Sequence, residues 1–297
     1  MNTLVQATIP KDYTALFDNL DIAETTRADY CYRLPLFVSY VNLYGFDTNT
    51  YLNYKRHLRA TTWSVSTKNK HLIVARVFLK EMHRQGLIPT DITHNVKAFK
   101  QSKKHKKRGL NDIEVKRLTT WLADLPDTPE SDRLKAIFSL LLLQGLRLIE
   151  VCRLDIEDLD FENDRLFVWG KGRDDKEPVL LIPQTVTCLR EYLRSNAIKE
   201  GALFRSNSHS QMGRRLSTRG LREIISVIFK MLHINKTAHG TRHYYTSKLL
   251  KHMPGELLDV AQFTRHRSIE MLREYDNRNK QDFALDKVIA AFAGVNF

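Results

Sequence analysis

Residues 134–154 read LKAIFSLLLLQGLRLIEVCRL, and this stretch sets the architecture of the larger part of the chain. Apolar side chains fill nearly every position from Leu134 to Gln144, and a helix that is apolar all round is buried in a core. The sequence therefore predicts a central helix, headed by Ser131 as a candidate N-cap and ended by Gly145 in a left-handed conformation. Other helices must pack around it, which favours a mainly helical domain.

Arg147 follows this helix in a stretch otherwise built of core residues. A buried arginine must be paired or functional, because its charge cannot be neutralised by loss of a proton. Glu150, one turn later, is placed to hold the guanidinium. Two interpretations stay open here: a structural ion pair between Arg147 and Glu150, or a functional arginine that the glutamate orients.

A second informative segment is KTAHGTRHYYTSKLL at 236–250, in which His239, Arg242 and His243 share one helical face. His-x-x-x-His is a zinc geometry, but the metalloprotease form needs a glutamate where this chain has Gly240, and Arg242 would repel a divalent cation. Two imidazoles beside a guanidinium suit a phosphate, whose oxygens match the planar fork of arginine. A phosphate site, a metal site and structural histidines stay open on spacing alone, and we predict no metal.

Two strand-like runs, RLFVW at 165–169 and PVLLI at 178–182, flank GKGRDDKE and predict a β-hairpin with Lys171 at its edge. Further helical patterns cover residues 111–122, 185–195, 217–232, 241–251, 256–263 and 268–275. The sequence thus predicts a domain over 111–297 that is mainly α with a small β-sheet, an α+β fold class.

The amino-terminal third contains helical patterns at 23–45, 51–60 and 66–85, and Pro35 is expected to kink or divide the first of them. No alternating strand pattern accompanies these helices. Residues 1–98 therefore predict a separate small helical domain, which agrees with the two domains that a length of 297 residues favours.

The formal net charge of +13 and a pI near 9.6 favour a polyanionic partner. Residues 1–110 hold 18 Lys and Arg against 8 Asp and Glu, so most of the excess lies there. The predicted third helix presents Lys68, Lys70 and Arg76, and the linker 99–110 is a basic run that serves as a solvated tether or lies along a duplex. The cations expected to bind DNA in that linker are Lys103, Lys104, Lys106, Lys107 and Arg108.

Three separate cysteines without a CxxC pair argue against a disulfide framework and fit a reducing cytoplasm. No apolar run reaches the roughly 20 residues that a membrane helix needs, and the start MNTLVQATIPKDY lacks the pattern of a secretion signal. We expect a cytoplasmic, nucleoid-associated protein with no membrane partner.

The motifs occur in a fixed order that resembles the tyrosine recombinases, and specifically their compact Xer-like group. Gly145, Leu146, Arg147 and Glu150 match the first box of the family, Gly-Leu-Arg-x-x-Glu. Lys171 matches the lysine of its hairpin. The resemblance covers nearly the whole chain, including the helical amino-terminal part and the basic linker, and it leaves no room for an arm-type domain ahead of them.

The second box of the family, His-x-x-Arg-His, is matched by His239, Arg242 and His243. The third box normally reads Leu-Gly-His and leads to the nucleophilic tyrosine. Here His266 leads to Tyr275 at the expected nine-residue step.

The third box is also where this chain departs from the family pattern. It reads Phe263-Thr264-Arg265-His266, with arginine where the family usually has glycine. We expect Phe263 to keep the apolar anchor of the box and Arg265 to add a phosphate contact.

The resemblance implies a helical core-binding domain and a catalytic domain that form a clamp around DNA. It also implies that Tyr275 attacks a phosphodiester to give a 3′-phosphotyrosyl bond and a free 5′-hydroxyl, with Lys171 as general acid. The phosphate would be held by Arg147, Arg242, His239 and His266, with Glu150 and His243 in support. No cofactor, metal or ATP is expected.

The partners implied are double-stranded DNA carrying a specific recombination site and further copies of the chain, two per site and four in the synapse. A second recombinase subunit or an accessory protein is a further candidate. The apolar stripe of residues 284–297 either docks on a neighbouring protomer, as in the family, or packs on its own domain.

Three other functions compete with recombination. A type IB topoisomerase would use the same nucleophile and arginines to relax supercoils, and a non-catalytic DNA-binding protein would only retain the fold. A metal-dependent nuclease would be sensitive to EDTA.

Overall fold

The chain forms two compact units, Met1–Lys103 and Lys104–Phe297. The computed structural model describes residues 9–101, 109–170, 175–266, 268–270 and 272–273, with the side chain of Ser210 left out. The described residues at the two ends of the basic linker, 99–101 and 109–110, each adjoin a folded unit. Phe99 exchanges two hydrogen bonds of 2.9 and 3.0 Å with the Asn69 side chain, and Leu110 is buried in the core of the second unit.

The first unit is helical. It contains a 3-10 turn at Tyr13–Phe17 and three α-helices, α1 (Glu24–Tyr44), α2 (Thr50–Ala60) and α3 (Val65–Arg84). Pro35 lies inside α1 and does not divide it into two helices. Leu34 and Phe37 on either side of the proline are buried, and their packing offsets the backbone hydrogen bond that proline cannot make.

Aromatic rings form the core of the first unit. Phe37 meets Tyr54 edge-on with centroids 4.9 Å apart, and Phe78 of α3 meets Phe37 at 6.2 Å and Phe17 at 6.3 Å. Such T-shaped contacts stabilise a core beyond the burial of area alone. The core holds all three helices together.

The second unit contains seven α-helices among its described residues. They are α4 (Asp112–Ala123), α5 (Pro129–Leu142), α6 (Leu148–Arg153), α7 (Pro183–Asn196), α8 (Thr218–Met231), α9 (His239–His252) and α10 (Leu257–Thr264). Every residue from Ala136 to Leu142 in α5 is buried, which confirms its predicted central place.

Helix α5 begins earlier than predicted. Thr128 is the N-cap, and its hydroxyl accepts a hydrogen bond of 3.2 Å from the backbone N–H of Ser131, which therefore lies inside the helix. Pro129 occupies the first helical position, where its fixed φ and missing N–H are harmless. The expectation of Ser131 as N-cap is wrong, because Thr128 and Pro129 start the helix three residues earlier.

An antiparallel sheet of three strands, in the order β1-β2-β3, lies against the helices. The strands are β1 (Leu159–Asp160), β2 (Arg165–Trp169) and β3 (Lys176–Leu180). The β2–β3 hairpin is as predicted, but β3 begins two residues earlier than expected, with Trp169 opposite Lys176. Leu181 has left the strand and is buried. No helix in the described ranges is both long and apolar enough to cross a membrane.

Candidate active site

The turn between α5 and α6 packs directly on α9. Gly145 has a φ of +59°, and a Cβ at this position would lie only 2.2 Å from Cδ1 of the Tyr245 ring. A glycine is required on both counts, because a side chain would be strained and would also clash. The close approach places Arg147, at the start of α6, beside α9.

Glu150 holds Arg147 as predicted. Its Oε2 accepts a 2.8 Å hydrogen bond from the Arg147 backbone N–H, and its Oε1 lies 2.5 Å from Nη1 of the guanidinium. Glu150 is 1% exposed, whereas the Arg147 side chain is 26% exposed. Burial raises the pKa of Glu150, but Arg265 and Arg147 outweigh this effect and hold it below its ordinary value. The pair is both an ion pair and a means of orienting a partly exposed cation.

Arg265 contacts two carboxylates. Its Nη2 lies 2.8 Å from Oε2 of Glu150, its Nε lies 3.6 Å from Oε1 of Glu177, and its side chain is 6% exposed. The guanidinium is bound to Glu150, and the expected phosphate contact of Arg265 stays a prediction. The backbone at Arg265, where the family pattern has glycine, is left-handed, with a φ of +52°.

Phe263 does not anchor the third box. Phe263 is 45% exposed, whereas Val260 is fully buried in a cluster with Leu272. The expectation fails because α10 runs to Thr264 and turns Phe263 outward.

Arg242 ties three segments together from α9. It is 3% exposed, and its guanidinium donates to the carbonyl of Gly145 at 2.6 Å and to the carbonyl of Thr264. Burial, with help from the cations Arg147 and Arg265, lowers its pKa to about 9. Arg242 therefore remains charged at neutral pH.

His239 and His243 lie together on α9, as their spacing predicted. Their rings meet edge-on with centroids 4.6 Å apart. His239 is exposed at the start of the helix, and His243 is buried. His243 packs close to Gly109, since a Cβ added at the glycine would lie only 2.8 Å from the Cβ of His243. Among the described residues no third His, Cys, Asp or Glu side chain joins this pair in a group that could hold a metal ion.

His266 lies at the end of α10, next to Arg242. Its Nδ1 is 2.6 Å from the hydroxyl of Thr264, whose carbonyl binds Arg242. Burial lowers the pKa of His266 to about 3, and the nearby Arg242 and Arg147 contribute to the decrease. The ring is therefore neutral at pH 7.

A cavity of about 580 Å³ opens between α6, α8 and α9. Arg147, His239 and Arg242 line it together, as a phosphate site requires. Arg222 of α8 and Lys236 also line it and were not predicted. Lys236 lies three residues before His239, and this spacing is the signal that could have identified it as a residue of the site from the sequence. Five basic side chains around one opening favour an anion.

The remaining predicted residues are placed as follows. Lys171, Tyr275 and the linker cations Lys103, Lys104, Lys106, Lys107 and Arg108 lie outside the described residues. Lys68 donates to the carbonyls of Arg59 and Thr61 at the end of α2, and Arg76 donates to the carbonyl of Val96. DNA would have to compete with these internal partners. Lys70 is exposed.

The sequence profile of the Phage integrase family matches residues 91–282. Tyrosine recombinase XerC of Bacillus pumilus is 28% identical over 290 residues, which cover 92% of this chain and 89% of the relative. XerC of Lactobacillus delbrueckii subsp. bulgaricus is 26% identical over 253 residues, 82% and 83% of the two chains.

Solved structures share the fold. The XerH site-specific recombinase, in a post-cleavage complex with a palindromic difH substrate, superposes with a TM-score of 0.73 at 19% identity. The match covers 98% of this chain and 91% of XerH. The mainly helical fold with its small sheet is therefore that of DNA-bound recombinases.

Proposed function

This chain belongs to the phage integrase family as a Xer-like tyrosine recombinase, and from that premise we propose which of its residues cut and rejoin DNA. As a site-specific recombinase it acts on DNA. We assign Arg147, Arg242, His239 and His266 to the scissile phosphate, with Glu150 and His243 orienting them. Tyr275 is the nucleophile and Lys171 the general acid.

The observation that carries the assignment is that residues far apart in sequence converge on one cavity. Arg147, His239 and Arg242 line the same opening. Arg242 donates to the carbonyl of Thr264, and His266 contacts the hydroxyl of the same residue. Negative charge develops on the non-bridging oxygens as the phosphorus becomes five-coordinate, and fixed cations stabilise it most where little water can rearrange. The buried Arg242 and the Arg147 held by Glu150 meet that requirement.

Cleavage of the strand by Tyr275 needs no reactant besides the protein and the DNA. The Tyr275 oxygen attacks phosphorus, its proton passes to a base, and the departing 5′ oxygen receives a proton from Lys171. A phosphotyrosyl bond and a free 5′-hydroxyl result. Attack by a 5′-hydroxyl of a second duplex reverses these steps and rejoins the strands.

The partner that we propose is a duplex carrying a specific site. Two copies would occupy each site and four would form the synapse, with the stripe at 284–297 docked on a neighbour. A second recombinase subunit or an accessory protein would join where the two halves of the site differ. The helical unit 1–98, the linker 99–110 and the catalytic unit 111–297 would close around the DNA, in the cytoplasm and on the nucleoid.

The test begins in cells, where covalent adducts between the protein and DNA are trapped and their DNA is sequenced to identify the target. A duplex of that sequence is then prepared with a nick, so that the fragment released by cleavage diffuses away and the adduct accumulates in vitro. Tyr275→Phe is expected to bind these duplexes with unchanged affinity and to form no adduct. The matched control is Tyr244→Phe, which removes the phenol that donates to Asp112 at 3.0 Å and should leave adduct formation intact.

An adduct that persists in Tyr275→Phe would show that another residue attacks. Relaxation of supercoils without any preference for sequence would favour the topoisomerase alternative, and loss of cleavage in EDTA would favour a metal-dependent nuclease.

A further inference from the structure

Arg265 lies where three elements of the second unit meet. It directly follows α10, and its Nη2 lies 2.8 Å from Oε2 of Glu150 in α6. Its Nε lies 3.6 Å from Oε1 of Glu177 in β3. One buried guanidinium thus links the turn after α10 both to α6 and to the hairpin.

The carboxylate of Glu150 is held from two directions. Within its own helix, Oε1 lies 2.5 Å from Nη1 of Arg147 and Oε2 accepts from the Arg147 backbone N–H at 2.8 Å. The contact with Arg265 comes from 115 residues further along the chain. Contacts from outside the helix lock the rotamer of a side chain that supports a functional group. Arg265 therefore restrains Glu150 and, through it, the guanidinium of Arg147.

The charge of Arg265 also keeps Glu150 ionised. Burial raises the pKa of Glu150, and the positive charge of Arg265 is the largest single contribution that lowers it. An ionised carboxylate binds a guanidinium more strongly than a neutral acid does. The other charged or titratable groups around this pair are Arg147, Arg242, His243, Tyr245, His266 and Glu177.

Arginine at this position comes with a strained backbone. Its φ is +52°, which is unfavourable for a residue that has a Cβ, and the family pattern has glycine here. Strained residues of this kind cluster at functional sites, where the surrounding structure holds them. A glycine would avoid the strain but could not reach Glu150.

We propose that Arg265 is a positioning residue, which fixes the carboxylate of Glu150 so that Arg147 faces the scissile phosphate. The inference rests on the proposed function and deepens it, because it adds to that site a residue which the family pattern does not supply. Arg265 acts through Glu150. A direct phosphate contact of Arg265 is a separate hypothesis, since its loss would weaken the binding of DNA.

The first test measures the ionisation of Glu150 and needs no activity. The full chain is labelled with ¹³C at the glutamate carboxyl, and the Glu150 signal is identified from its loss in Glu150→Gln. In Arg265→Met and Arg265→Gly the carboxyl should take up a proton at a higher pH than in the wild-type chain, because the neighbouring cation is gone. Arg265→Lys keeps the charge and should restore the wild-type titration. The same titration in all four chains would overturn the proposal.

The second test measures single-turnover adduct formation on the nicked duplex at pH 7.5 and pH 5.5. At pH 7.5, Arg265→Met and Arg265→Gly should both form the adduct about 10-fold more slowly, because a loosely held Arg147 is misplaced in the transition state. Their Kd for DNA should stay within about twofold of the wild-type value, because only positioning is lost.

The dependence on pH separates positioning from a general loss of structure. The ratio of the rates at pH 7.5 and pH 5.5 should be about threefold larger, or more, in the two variants that lack the charge, because Glu150 is protonated at a higher pH. Arg265→Lys should restore both the rate and the ratio. The glycine variant has no backbone strain, so a slow rate in Arg265→Met alone would trace the effect to strain and would overturn the proposal.

The matched control is Arg133→Met. Arg133 is another buried arginine of the second unit, paired with Glu130 at 2.9 Å and absent from the lining of the phosphate cavity. Its loss should lower the free energy of unfolding and leave the adduct rate and its pH ratio unchanged.

Two results would overturn the positioning role of Arg265. One is a wild-type rate and pH ratio in Arg265→Gly. The other is a weaker Kd with a normal rate of cleavage of the bound duplex, which would indicate a direct phosphate contact. Absence of any adduct in the wild-type chain would instead contradict the proposed function, and the titration of Glu150 would still decide whether Arg265 controls its ionisation.

Discussion

At the scale of single residues, the site is an arrangement of cations around one buried carboxylate. Glu150 binds Arg147 with one oxygen and Arg265 with the other. The left-handed backbone at Arg265 costs about 1 kcal/mol relative to glycine, and the guanidinium of the same residue lies 2.8 Å from Oε2 of Glu150. This arrangement leaves Arg147 at the lining of the cavity.

The neutral state of His266 predicts how stability depends on pH. An unfolded histidine takes up a proton near pH 6.5, whereas the folded ring does so only near 3. The unfolded state therefore binds more protons between these values, and the free energy of unfolding decreases as the pH falls below about 6.5. Between pH 7 and 5 the wild-type chain should lose about 1 kcal/mol more than His266→Gln, allowing for screening by solvent.

Urea unfolding of both chains at pH 7 and pH 5 measures this difference. A Trp63→Phe background restricts the fluorescence to Trp121 and Trp169, which lie in the second unit. Equal losses in the two chains would contradict the depressed pKa of His266.

At the scale of elements, the site depends on how closely the α5–α6 turn approaches α9. Gly145 contributes its carbonyl to Arg242 and leaves space for the Tyr245 ring. The turn thereby fixes Arg147 and Arg242 relative to each other across two elements. Preorganisation of this kind is what lets fixed charges stabilise a transition state.

Gly145→Ala should destabilise the second unit by about 3 kcal/mol, since the new methyl group would be strained at positive φ and would also clash with Tyr245. The matched control is Gly213→Ala, in the same unit, with a φ of +76° and no atom within 4 Å of the added Cβ. It should cost only about 1 kcal/mol. Urea unfolding compares the two, and equal losses would show that the contact with Tyr245 is not restrictive.

At the scale of the whole molecule, positive charge is concentrated in the first unit and the linker that follows it. The net charge is +13, and the linker alone supplies six lysine and arginine side chains between Lys100 and Gly109. Each cation that meets a phosphate releases a condensed counterion and makes binding more dependent on salt. The linker should therefore determine much of the salt dependence of DNA binding.

Replacing Lys103, Lys104, Lys106, Lys107 and Arg108 by serine tests this expectation. The slope of log Kd against log salt concentration should decrease by about 0.9 for each phosphate that the linker no longer neutralises, or about 3 to 4 in all. The control exchanges lysine and arginine at the same five positions, which keeps the charge and should keep the slope. If the serine variant retains the wild-type slope, the linker is only a solvated tether.

Local sequence was sufficient for the features that depend on neighbours along the chain. The apolar run around Leu140 predicted a buried helix, and the spacing of Arg147 and Glu150 and of His239 and His243 predicted their contacts. These pairs are three or four residues apart, so helix geometry alone brings them together. Element boundaries were less predictable, because α5 starts at the Thr128-Pro129 pair and the second strand of the hairpin starts at the polar residue Lys176.

Tertiary packing alone settles which distant groups share the cavity. Arg242 reaches Gly145 across 97 residues, and Arg265 reaches Glu150 across 115. Such contacts form only when whole elements pack together, and no regular spacing of residues in the sequence predicts them. The lowered pKa of His266 arises in the same way, because it depends on burial and on the cations Arg242 and Arg147 of other elements.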